Sequence, residues 1–292
     1  MPKFRIVLAN FSTAFSPVKI VVYLMNRRAF LYSALAASAS ATTSVDQAFV
    51  RLYEFDFKGV RDLTAAHLND PLARGVRATA ILFSEFVQLN IWEGEDFFET
   101  SKRSRAKPNL AVRNSFFEEL KTVRRLADEA LRVNSKDTNA LFTQTMTYGL
   151  ETDYLAFVER RSIASFEPCK TSQRWADKLL VVDPSFHDAY LTTGVNEFML
   201  GALPGVLRWA IKVETAKGDK RKGLEHLEMV AKGGRYFPGF AKLLLAVFYE
   251  REKQPIRAEA MLLDLSRLYP GNQLFQRQLR RVRPKVEKTI SR

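Results

Sequence analysis

The residues of this 292-residue chain best suited to metal or nucleophilic chemistry are three histidines, His67, His187 and His226, and one cysteine, Cys169. None stands at metal-ligand spacing from another, and a lone thiol forms neither an intramolecular disulfide nor a Cys-based zinc or iron–sulfur site. No metal and no cofactor are expected. His187 precedes Asp188, a carboxylate that could orient the imidazole for acid–base work. The stretch around them, VVDPSFHDAYLTTG from Val181 to Gly194, reads better as a joint. Pro184 follows an apolar run, Asp183 or Ser185 can cap the next helix, and an acid in a first helical turn is favoured by the dipole.

Two further stretches carry polar chemistry. TAKGDKRKGLEHL, residues 215–227, sets two glycines and four basic residues beside a helix start, an arrangement able to hold phosphate. It lacks the Gly-x-x-x-x-Gly-Lys-Ser/Thr spacing and follows no strand, so Asp219 is read as the cap of a helix over 220–232. Glu93, Gly94, Glu95 and Asp96 lie beside Trp92, Phe97 and Phe98 in an apparent inserted loop, and no Gly-x-Ser-x-Gly elbow exists. The chain is expected to catalyse nothing.

The elements that would position these groups are helical. Apolar residues make up 47% of the chain and recur at helical spacing from Val45 onward, while thirteen Gly and eleven Pro are too few for a turn-rich β fold. Helices are predicted over 45–54, 57–68, 73–90, 109–133, 138–159, 170–181, 187–200, 204–213, 220–232, 238–252, 255–268 and 272–288. Their short connections imply an antiparallel array, a bundle or a solenoid.

Internal repetition favours the solenoid. Leu265, Leu262 and Ala258 lie 5, 8 and 12 residues before Pro270, and Tyr249, Ala246 and Leu245 lie 21, 24 and 25 before it. Partial copies surround Pro71, Ser135 and Pro184, and the last is followed by Tyr190 and Gly194 on first-helix positions. Insertions at 91–108 and 201–219 interrupt the period. In these residues the chain resembles divergent bacterial tetratricopeptide-repeat proteins, well over 130–270 and weakly over 45–90. The resemblance implies an all-α fold of stacked antiparallel helix pairs with irregular insertions, acting as a scaffold for protein or peptide partners. Pro71, Pro184, Tyr190, Gly194, Ala246, Tyr249, Ala258 and Pro270 would define its repeats.

Charge is concentrated at the two ends. Of the formal +13, residues 1–41 hold five basic residues and no acid, and residues 276–292 hold seven basic residues against Glu287, leaving +2 for residues 42–275. No nucleic-acid surface is expected from so neutral a body, but the basic ends could touch a membrane or an acidic partner. Residues 25–41, MNRRAFLYSALAASASA, run from a basic start through a short apolar middle to small residues. That is the layout of an export signal rather than of a membrane span. Arg27, Arg28, Phe30 and Leu31 resemble the core of the bacterial twin-arginine signal. With 1–41 as signal, residues 1–24 being either a mis-called extension ahead of a true start at Met25 or an unusually long lead-in, one helical domain spans 42–292 in the periplasm or envelope; without a signal it is cytoplasmic.

Projecting the repeat register gives a concave face of Asn139, Phe142 and Met146, then Asp188, Leu191, Val195 and Phe198, then Leu243, Val247 and Glu250. Seven of the ten are apolar, so the face must be covered, either by the chain's own insertion (helix 204–213) or by a partner peptide. The leading expectation is a non-catalytic scaffold binding a partner there. The rivals are an envelope assembly factor held by its basic ends, and a small-ligand binder or enzyme with a pocket near 201–219. The helix over 272–288 reads as the terminal cap, with Pro284 ending it.

Overall fold

Acidic and amide side chains cut the chain into helices where the sequence places its turns. Asp56, Asp70, Asn109, Asp137, Asp219 and Asn272 each accept a backbone N–H at a helix start. The structure, a computed structural model, describes residues 44–93, 108–202 and 218–291, all within one compact unit, Ser44–Arg292. The expected signal residues Arg27, Arg28, Phe30 and Leu31 and the helix over 204–213 lie outside the described residues.

Helix α1 covers 44–53. It is followed by α2 (Phe57–Thr64), α3 (Pro71–Gln88), α4 (Leu110–Val133), α5 (Thr138–Asp153), α6 (Phe166–Val182) and α7 (Tyr190–Ala202), then α8 (Lys220–Gly233), α9 (Pro238–Arg251), α10 (Pro255–Leu268) and α11 (Gln273–Ile290). The described residues contain no strand. Consecutive helices pack as pairs from α2 through α11, and α3 also packs on α5, giving an all-α, solenoid-like array.

The helices fall into two kinds. On α3, α5 and α9 buried residues run all round: eight consecutive residues of α5, Ala140 to Thr147, are buried. Helices α4, α6, α8, α10 and α11 bury one stripe and offer the other to water. The first kind is sandwiched inside the array and the second forms its outside. The buried threonines of α5 need no outside partner, because Thr143 and Thr145 donate to the carbonyls of Asn139 and Leu141 at 2.7 and 3.0 Å.

One joint recurs three times. At Asn134–Asp137, Asp183–Phe186 and Tyr269–Asn272 the last residue donates its N–H to the carbonyl of the first, at 3.0, 3.2 and 3.1 Å. The first residues of two of them are extended, φ/ψ −138/100 and −141/93, and Tyr269 lies nearby at −130/68. Ser135, Pro184 and Pro270 occupy the second position of these joints. Pro71 does not: it is the first residue of α3, where its missing N–H is harmless and Asp70 caps Leu72 and Ala73. Its expected role as a turn-closing repeat marker is corrected accordingly.

Small residues set the helix spacing, as the repeat pattern requires. A Cβ added at Gly194 of α7 would lie 3.0 Å from the Gly223 carbonyl, and one at Gly223 of α8 would lie 2.7 Å from that of Gly194. Ala246 and Tyr249 of α9 and Ala258 of α10 are buried, and Tyr249 donates to Glu228 of α8 at 2.5 Å. Several helix ends shift by two to four residues from expectation, α6 starting at Phe166 and α7 at Tyr190 among them, and two differ in kind. The helix predicted over 138–159 loosens into a π-turn at Tyr154–Val158, where Tyr154 stacks on Phe116 at 4.6 Å. Pro284 does not end α11, which runs to Ile290: the proline is exposed, so water can solvate the carbonyl that it leaves unbonded.

Candidate functional site

The expected concave face is largely filled by the chain itself. Phe142, Met146, Phe198 and Leu243 are buried. Phe142 packs on Phe186, Tyr236 and Phe237 at 5.1 to 5.7 Å, and Met146 lies against Gly75 and Thr79 of α3. Phe237 also meets Phe49 of α1, and Phe83 of α3 meets Phe240 of α9 at 5.6 Å. Helices α1 and α3 thus occupy the inner side that a peptide would need. Phe198 stacks on Phe248 at 3.9 Å. These four are core side chains, and their expected role as partner contacts is corrected on that ground. Leu191, Val195 and Val247 are half-buried against the same core, Asn139 is exposed, and Glu250 is held by Arg281 and Lys285.

The first and last described helices seal this arrangement. Tyr53 of α1 donates its hydroxyl to the Tyr236 carbonyl at 2.8 Å, Asn272 donates to the Tyr53 carbonyl at 2.7 Å, and Arg235 bridges to Asp46 at 3.0 Å. Gln278 of α11 donates to the Trp92 carbonyl at 2.9 Å.

Asp188 is a pin rather than a rim residue. It sits in a 3-10 turn, His187–Ala189, 3% exposed, and accepts the backbone N–H groups of Arg235, Tyr236 and Phe237 at 2.7, 3.0 and 2.7 Å. One carboxylate thereby fixes the segment entering α9 from 47 to 49 residues away. Burial pushes its pKa above the ordinary carboxylate range against the lowering effect of the three donors. His187 lies along Gly233 and is no partner of this carboxylate. His226 lies 5.2 Å from Tyr190, and burial lowers its pKa. Among the described residues no three His, Cys, Asp or Glu side chains group as metal ligands.

Asp219 caps α8 by accepting from Arg221 and Lys222, and the cations of that start are engaged: Lys220 with Glu252, Arg221 with Glu225, Lys222 with Glu197. Residues 215–217 and 94–98 lie outside the described residues, as does the core of the pocket expected near 201–219. Cys169 donates to Asn196 at 3.1 Å in a polar seam between α6 and α7; burial pushes its thiol up to about 11. Nearby Asp153, at the end of α5, is pushed up to about 7 by burial alone.

The open site lies elsewhere. Leu131 of α4, Ser135 of the first joint, Leu141 of α5, and Trp175, Asp177, Lys178, Val181 and Val182 of α6 line an open groove of about 560 Å³. It exists because α5 packs on both α4 and α6 while those two barely touch. Val181, near the end of α6, is 84% exposed, and Val133, at the end of α4 and outside the groove lining, 91%. Lys178 lies over the Trp175 ring at 4.1 Å and covers it in part.

Sequence reasoning missed this groove, although a signal was present. Arg132, Val181 and Arg267 stand two residues before the three joints as Arg, Val and Arg, so at that position only the middle joint carries an aliphatic. Compared with known proteins, the sequence matches no family model and no curated protein.

Proposed function

We propose that the chain is a non-catalytic scaffold of tetratricopeptide type that binds a protein partner at the groove between α4 and α6. The recurring joint, the close crossing at Gly194 and Gly223, and the buried Ala246 and Ala258 support the repeat reading. The observation that carries the binding reading is the groove itself, which combines Trp175, a Leu141 floor and exposed Val181 in one apolar concavity. An aromatic anchor site rimmed by Asp177 and Lys178 suits the apolar face of an amphipathic helix. Export through the segment holding Arg27 and Arg28 belongs to the same proposal.

The binding reading is tested by placing a photo-crosslinking residue at Val181 in the full chain in cells. A discrete adduct is expected, absent when the same residue is placed at exposed Lys121 and lost on adding Trp175→Ser. No adduct, or the same adduct from both positions, refutes it. Fusing residues 25–45 to a reporter and replacing both arginines by Lys tests export; unchanged localisation refutes the twin-arginine part.

A further inference from the structure

The last helix pair carries charge that the fold does not use. Residues 253–291 hold nine basic residues against Glu259, Asp264 and Glu287. Arg257 is paired with Glu228, Arg281 and Lys285 share Glu250, Arg283 reaches Glu259 at 3.5 Å, and Arg277 is engaged as well. Lys253, Arg267, Arg280 and Lys288 are exposed, with no carboxylate against them among the described residues. Helix α8 is the contrast: each cation of its first turn has an acid within 3.4 Å.

Two of the unused cations share one face of α11. Leu274, Phe275, Leu279, Val282 and Val286 bind α11 to the array, so the stripe Arg280, Pro284 and Lys288, spaced by four, points outward. Helix α11 has 18 residues, about 27 Å of length. Its neighbour α10 adds Arg267 and two exposed aliphatics, Ile256 at 51% and Leu268 at 55%, and Ile290 stands 72% exposed at the tip of α11. Cations spread along a helix pair, rather than converging on a point, match an extended anionic surface and not a single phosphate. Exposed aliphatics among them match the headgroup boundary of a bilayer.

We infer that the outer face of α10 and α11 docks on an anionic lipid surface, with Arg267, Arg280 and Lys288 against headgroups and Ile290 entering their boundary. This surface is separate from the groove at Trp175 and stands whether or not that groove binds a protein.

The test uses the full chain with vesicles of phosphatidylcholine, with or without phosphatidylglycerol, in a sedimentation assay. Binding is expected with phosphatidylglycerol alone and is weakened by salt. Combined Arg267→Glu, Arg280→Glu and Lys288→Glu should weaken it on the order of 100-fold or more, with the helical circular dichroism unchanged because all three side chains are exposed. Ile290→Ser should weaken it several-fold. Retention of binding by the triple variant overturns the inference, as does its loss in Arg27→Gln, Arg28→Gln instead. So does tighter binding to polyglutamate than to vesicles, which would assign the face to an acidic protein.

Discussion

Leu141 and Phe142 are neighbours on α5 and both are buried, yet one forms the floor of an open groove and the other is sealed among aromatic rings. The difference comes from what stands opposite. Phe142 faces Tyr236, Phe237 and Phe186, and α3 lies against the same helix at Met146. Leu141 faces the gap left because α4 and α6 do not close over it. An apolar inner helix in a repeat array is therefore no sign of a partner surface when the chain supplies its own filling. An aliphatic at the end of an outer helix has no such cover.

The largest effects should separate these two regions. Phe142→Ala is expected to destabilise the fold by about 3–5 kcal/mol in denaturant unfolding, while Val181→Ala, at 84% exposure, should change it by less than about 0.5 kcal/mol. Equal effects would erase the distinction. Asp188→Ala leaves three buried N–H donors unpaired and should cost on the order of 4 kcal/mol.

A smaller effect depends on pH. Asp153 has a folded pKa raised to about 7 from an ordinary 3.8, so its ionisation opposes folding. The native state has its full advantage below the unfolded pKa and loses it as pH rises through about 7. Asp153→Asn should therefore be more stable than the parent at pH 8, on the order of 2 kcal/mol for a half-buried group, and no more stable at pH 4. Thermal midpoints at the two values check this. The smallest effect is at Lys253, which holds φ 57 after α9. Lys253→Gly should stabilise by about 0.5 kcal/mol in the same unfolding assay.

Much of this fold could be read from residue patterns, and little of the site could. Helix positions, caps such as Asp137 and Asp219, and joints at Ser135, Pro184 and Pro270 follow from local chemistry and appear where local chemistry puts them. The destination of Asp188 does not, because its partners at 235–237 are set by tertiary packing that no spacing rule encodes. The filling of the inner face by α1 and α3 is hidden for the same reason: apolar Phe142 and Met146 look identical in sequence whether a partner or the chain covers them. Val181 was readable in principle, as the aliphatic among arginines at equivalent places, but only once the three joints are aligned.

Thiol labelling tests the central claim, a self-filled inner face beside an open groove, most directly. Cys169 is first replaced by Ser, so that Val181→Cys and Leu243→Cys each carry the sole thiol. Labelling at Val181→Cys should proceed at the rate of a free thiol, and at Leu243→Cys on the order of 100-fold or more slowly, limited by opening of the fold. Equal rates at the two positions would contradict the account.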